Sequence, residues 1–309
     1  MNAFRLGGPV LAGVVLTAVY TFLISGADAI TKMFAASYAA PQLFALSGAV
    51  VAGLSLLMNR RGATPRTMRT KCPRAMALRV AATILGAMAF FYAFRLLPFA
   101  EVFLFIAMIP LFTALLSGPV LGEAVRPQAW AALMLGFVGL LCLFPGGFAT
   151  VTMGHLVALA AVSLGTVSMM ASRYIGVRDD NLLPQVFYPN FGLMLASLAV
   201  LPFVYQSMPA ADFGWALVYG TVLFFARWVL VAAFKAMPAY VITPLMNLQF
   251  VWMVVLGAAV FGEVTSGFVY LGAAVVITAG VWLIRDQAVA MHGVRPIRLL
   301  RKERIYPAE

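Results

Sequence analysis

Charge is what this chain has least of. Of its 309 residues only 10% are Asp, Glu, Lys or Arg, where a soluble domain carries about 25%. Carboxylates are the scarcer sign, 10 Asp and Glu against 21 Lys and Arg. An ordinary soluble globular fold is excluded, because its surface could not be covered. Cysteine is equally sparse: Cys72 sits in a basic loop and Cys142 in an apolar run. That excludes a disulfide framework and a paired-cysteine metal site. His155 and His292, the two histidines, leave little for a zinc or haem site, so neither metal nor cofactor is expected. No phosphate-binding loop, dinucleotide fingerprint or nucleophilic triad occurs, which removes ATP-driven transport and soluble-type catalysis.

What the chain has in abundance is apolar sequence, 63% of the residues, with a mean hydropathy of +0.98. A membrane-crossing helix needs about 20 such residues. Runs of that length fall at about 9–31, 40–58, 76–94, 99–119, 127–145, 155–173, 184–205, 213–234, 239–261 and 266–284. Ten transmembrane helices are predicted. The first run, with Arg5 before it and Ser25, Gly26 and Ala27 near its end, has the outline of a signal peptide. The further runs and the polar pattern from Tyr20 to Lys32 assign it instead to the first span.

Charge placement tests the count. With ten spans and a cytoplasmic N-terminus, 18 of the 21 basic residues fall in inside segments, Arg79, Arg173 and Lys235 among them. Only Lys32 and Arg95 fall at outer ends, with Arg227 inside a helix. This asymmetry agrees with the positive-inside rule and puts both termini in the cytoplasm. It also accounts for the +11 net charge without nucleic acid as a partner.

The sequence repeats itself. Phe94-Arg95-Leu96-Leu97-Pro98 returns as Phe234-Lys235-Ala236-Met237-Pro238, and Gly122-Glu123 as Gly262-Glu263, both at an offset of 140 residues. Pro41-Gln42-Leu43-Phe44 returns as Pro184-Gln185-Val186-Phe187 at 143. Two five-helix halves follow, 9–145 and 154–285, with a basic cytoplasmic tail over 286–309. Because five is odd, the second half enters the membrane from the opposite side. The predicted fold is an all-α integral membrane protein of ten helices in two inverted-topology five-helix repeats, an architecture suited to alternating access.

Phe90-Phe91-Tyr92-Ala93-Phe94, then Leu97-Pro98-Phe99-Ala100-Glu101, Pro110-Leu111-Phe112 and Leu121-Gly122-Glu123, resemble the EamA-type drug/metabolite transporter superfamily. The second half repeats the pattern as Met237-Pro238-Ala239, Pro244 and Phe261-Gly262-Glu263. Asp28 to Lys32 and Tyr38 to Leu43 resemble a bacterial branch linked to S-adenosylmethionine or riboflavin uptake. Members of that branch often carry an arginine a few residues after the Pro-Gln of the second helix, where this chain has Ser47-Gly48. The resemblance implies a multi-pass protein of the bacterial cytoplasmic membrane, with a small-molecule substrate.

Candidate site residues follow from polarity inside apolar helices. Thr17, Tyr20, Thr21, Ser25, Asp28 and Lys32 fall within an arc of about 140° at 100° per residue. Asp28 is a ligand for a cationic group or a proton, or else half of an i, i+4 pair with Lys32. Arg227 could grip a carboxylate or phosphate, or snorkel to the inner interface beside Trp228. Glu101 either opens its helix at the positive N-terminus or heads a wall with Phe105, Met108 and Phe112. Asn247, Gln249 and Trp252, just after Pro244, mark with Pro110 a place where broken backbone can form a site. Tyr92, Tyr188 and Asn190 complete the expected lining. Glu123 and Glu263 read as helix-entry residues after left-handed Gly122 and Gly262.

Ala132, Gly136, Gly139, Gly272 and Gly280 permit close contact within the bundle or in a homodimer, and the basic tail suits anionic lipid. The expected function is secondary transport of an amino acid or a derivative. The alternatives are uptake of S-adenosylmethionine, riboflavin or a similar aromatic metabolite, and an integral-membrane lipid-modifying enzyme. The last would need acid, base or metal ligands clustered at one interface. The few charges here are instead spread over both sides.

Overall fold

The computed structural model describes residues 8–61, 67–97, 99–106, 108–122, 152–237, 242 and 245–262, with a few single positions between 127 and 138 and between 271 and 282. Among the described residues all regular structure is helical. The helices are α1 (Gly8–Ser37), α2 (Ala40–Arg61), α3 (Pro73–Leu96), α4 (Phe99–Ile106), α5 (Ile109–Leu116), α6 (Met153–Arg178), α7 (Leu183–Val204), α8 (Ala210–Ala236) and α9 (Gln249–Phe261). Six of them, α1, α2, α3, α6, α7 and α8, are long and apolar enough to cross a membrane. The protein is thus an all-α, multi-pass membrane protein.

Local chemistry sets the ends. Prolines occupy the first turns of α3 and α7, where the missing N–H has no intrahelical acceptor to lose. At the start of α6, Thr152 sends its amide (2.9 Å) to His155 Nδ1, with its hydroxyl 2.8 Å from the same nitrogen, so His155 serves a helix cap. Pro189 and Pro202 lie inside α7 without ending it.

The run expected at 99–119 is divided. α4 stops at Ile106, α5 restarts with Pro110 in its first turn, and a π-turn over Ser117–Leu121 follows. The cause is proline, which removes an i→i−4 donor and clashes with the preceding turn. A 3₁₀ turn, Met246–Leu248, leads into α9 in the same way. Gly122 (φ 67°) and Gly262 (φ 64°) close these two segments in the left-handed conformation, as expected for glycine at such ends. Pro244, Glu123, Glu263, Cys142, His292, the basic tail and most of the expected fifth and tenth spans lie outside the described residues.

α1 packs along α8, α3 along α6, and α2 along α7, with α2 also on α8 and α3 on α7. The α2–α7 contact needs Gly48: a Cβ there would lie 2.7 Å from the Asn190 carbonyl oxygen and 2.8 Å from Met194 Cβ. The bundle has two rims. At the basic rim, where α3 begins and α8 ends, Asp179 accepts from the amides of Lys71 (2.9 Å) and Asn181 (3.0 Å). Tyr188 there donates to the Met68 carbonyl, Arg173 to that of Phe234, and Lys235 pairs with Asp180 at 2.6 Å. At the opposite rim Tyr38 donates to Asp212, and Gln42 exchanges two hydrogen bonds with the backbone of Gln206.

Candidate functional site

Between α1, α3, α6, α8 and α9 lies a central cavity of about 130 Å³. α1 contributes Tyr20, Ile24, Asp28 and Thr31, and α8 contributes Tyr219, Leu223, Arg227 and Leu230. Both sets follow the same i, +4, +8, +11 spacing, which keeps one face of a helix aligned. The two helices run antiparallel, since a Cβ on Gly13 near the start of α1 would meet Met237, which caps the end of α8. Counting residues from that contact puts Asp28 and Arg227 roughly 8 Å apart along the bundle axis at 1.5 Å per residue. Arg227 lies toward the basic rim.

Each charge has a distinct setting. Gln249 Nε2 donates to Asp28 Oδ2 at 2.7 Å, while the Gln249 carbonyl accepts from Ser25 at 3.4 Å. Arg227 lies within electrostatic reach of Asp28. Its Nε is buried without a hydrogen-bond partner among the described residues. Lys32 stands over the Phe261 ring, 4.9 Å from its centroid.

A third charge was not anticipated. Arg79, counted above with the cytoplasmic basic residues, is 4% exposed and lines the cavity. It donates to the carbonyl oxygens of Ser168 (2.9 Å) and Gln185 (3.2 and 3.4 Å). One turn on, the hydroxyls of Thr83 and Ser168 are 2.7 Å apart. Arg79, Thr83, Gly86, Phe90 and Phe94 recur at i, +4, +7, +11 and +15 on α3 and all line the cavity. That periodicity is the signal that could have found Arg79, since it continues the helix face six residues inside α3 rather than belonging to the loop before it. Phe44 and Phe91 add to the aromatic side and Met169 and Met246 to the apolar wall.

The structure therefore brings together Tyr20, Asp28, Arg227 and Gln249 of the ten candidates, and adds Arg79, Thr83, Ser168 and Tyr219. Among the described side chains, Tyr92, Tyr188, Asn190, Asn247 and Trp252 do not line it. Tyr92 is 43% exposed and lies roughly 140° around α3 from Arg79. Tyr188 is committed to the Met68 carbonyl and Asn190 to that of Val186 (2.7 Å). Trp252 meets the Phe22 ring edge-on at 5.3 Å, and Asn247 sits in the 3₁₀ turn without lining the cavity. Glu101 is carried by α4, but its side chain lies outside the described residues. Phe105, Met108 and Phe112 from its expected face pack against a core formed with α6 and α9. Among the described residues no cluster of His, Cys, Asp or Glu could hold a metal ion.

Such an enclosure can hold a solute by charge at two heights and by ring contact at a third. Residues 11–144 match the EamA-like transporter family. That match spans a little under half of the chain. The chain is 27% identical over 226 residues to a riboflavin transporter of Rhizobium johnstonii, covering 71% of this chain and 73% of that protein. It is 23% identical over 225 residues to the S-adenosylmethionine uptake transporter of Rickettsia prowazekii (72% and 76%), and 22% identical over 284 residues to the pseudopaline exporter of Pseudomonas aeruginosa (89% and 97%). A solved crystal structure superposes on 90% of this chain and 99% of its own length with a TM-score of 0.71 at 16% identity, a likeness of fold. All three of these relatives are transporters by name, and it is to such transporters that this chain is similar. They include an uptake transporter and an exporter.

Proposed function

We propose that the protein is a secondary transporter that carries a small organic metabolite, an amino acid or amino-acid derivative, through the central cavity by alternating access. The observation that carries this reading is the presence of Asp28 and Arg227 on one cavity at different heights. A zwitterion presents its cation to the first and its carboxylate to the second, and the unpartnered Arg227 Nε has a donor to give. Isolated charges this deep cost several kcal/mol and persist where a pathway uses them.

The same reading places the chain in the bacterial cytoplasmic membrane with both termini inside, as ten helices in two inverted five-helix repeats. Packing supports the repeat. Exchanging each helix of the first half for its counterpart in the second turns the α3–α6 pair into α8–α1 and leaves α2–α7 unchanged. Gly13 lies against Met237 and Gly154 against Leu97, with added Cβ atoms at 2.7 and 2.8 Å from those side chains. Leu97 and Met237 are themselves 140 residues apart and cap α3 and α8 in the same extended conformation. The cavity of about 130 Å³ is smaller than the ~300–1,000 Å³ of a typical ligand pocket.

A second reading, transport of a flavin-like or nucleoside-like metabolite, is favoured by Phe44, Phe90, Phe91 and Phe94 on the cavity wall and by the relatives that carry riboflavin and S-adenosylmethionine. A thermal-shift screen of the purified chain against amino acids, S-adenosylmethionine, riboflavin and polyamines, followed by uptake of each hit into proteoliposomes, separates the two. Lipid modification without transport would contradict both.

A further inference from the structure

The charges on the cavity do not balance. Among the described residues its lining holds two guanidinium groups, Arg79 and Arg227, and one carboxylate, Asp28. Arg79 is within electrostatic reach of Arg227, so the cations reinforce each other. The partners of Arg79, the Ser168 and Gln185 carbonyls, are neutral. They use three of the five N–H donors of a guanidinium and cancel none of its charge. Asp28 can offset one arginine, and its Oδ2 already accepts from Gln249. Among the described residues one positive charge remains in a membrane interior, where an uncompensated ion is costly.

We infer that the cavity is charged for a substrate with one more anionic group than cationic groups, and that Arg79 is the residue that selects the extra anion. This deepens the transport reading and rests on it. α3 supplies the matching shape. Its cavity face runs from Arg79 and Thr83 near the basic rim, through Gly86 and Ala87, to Phe90 and Phe94. A solute would lie with its acidic end toward the arginines and its flat or apolar end toward the phenylalanines. Arg227, with its free Nε, takes one acidic group, Asp28 takes the cation, and Arg79, anchored by backbone, takes the second.

The test uses pairs of solutes that differ by one acidic group: glutamine and glutamate, tyrosine and 4-carboxyphenylalanine, riboflavin and flavin mononucleotide. Binding to the full-length purified chain is measured for each, in chloride and in gluconate. The acidic member of at least one pair is expected to bind about tenfold or more tightly. Arg79→Lys keeps most of that ratio and Arg79→Gln brings it near one. Should Arg79→Gln fail to fold, Asp28→Asn still decides the matter, because removing the one carboxylate of the described lining widens the ratio. Equal or weaker binding of the acidic members, no binding by any of them, or stabilisation by chloride alone overturns the inference. If neutral members bind best and are carried into proteoliposomes, the inference fails and transport stands. If acidic members bind and none crosses, transport fails instead.

Discussion

α1 and α3 each bring one charge to the same cavity, and they settle it in different ways. Asp28 on α1 is met by a side chain, the Gln249 amide, which reaches it from the start of α9 just after a 3₁₀ turn. Arg79 on α3 is met by backbone, the carbonyls of Ser168 within α6 and Gln185 near the start of α7. A side-chain partner on a broken segment can rotate away and release its acid; carbonyls of two packed helices cannot. Asp28 is thus tied by a single side chain, and Arg79 by the backbone of two helices.

The sharpest way to break that contrast is Arg79→Gln. Hydrogen bonds to a charged group contribute about 1.5–3 kcal/mol each, so this substitution is expected to lower unfolding stability in detergent by about 3 kcal/mol or more. A loss under about 1 kcal/mol would show that the backbone anchor is unimportant. Next comes Gln249→Leu, which takes one charged hydrogen bond from Asp28 and should cost about 2 kcal/mol. If it costs more than Arg79→Gln, the side-chain tie outweighs the backbone one and the contrast is reversed. Asp28→Asn keeps an acceptor for Gln249, and a stability change within about 1 kcal/mol is expected. Isothermal titration should nonetheless show affinity for ammonium-bearing solutes down about tenfold.

The smallest effect lies at the basic rim. Burial by itself would raise the Asp179 carboxyl, but the amides of Lys71 and Asn181 and the Thr70 hydroxyl together hold it below its ordinary value. A depressed carboxylate stabilises the fold above the ordinary value of about 3.9 and loses that contribution as pH falls through the lower folded value. Thermal unfolding of wild type and Asp179→Asn should therefore differ at pH 7 and converge as pH drops below about 4. A gap that widens on acidification would refute it.

Much of this was legible in the residues, and the rest fails for a physical reason. Pro110, Gly122 and Gly262 act through local backbone sterics, so the breaks and left-handed ends could be read without a structure. The stripe from Thr17 to Asp28 was legible because it repeats within one helix. What sequence does not carry is how each helix is rotated against its neighbours. Tyr92, Tyr188, Asn190, Asn247 and Trp252 are polar or amphipathic residues at plausible depths that the backbone carries away from the cavity lining. Arg79 was misassigned for a related reason: six residues from a loop, a cation can snorkel out, and only the packing of α6 and α7 shows that it points inward instead.

The central claim is that solute passes through the cavity between Asp28 and Arg227. Counterflow of a thermal-shift hit in proteoliposomes, wild type beside Arg227→Gln, tests it most directly. With the variant folded and inserted normally, exchange is expected to fall at least tenfold and binding with it; exchange at the wild-type rate would mean that the solute takes another path.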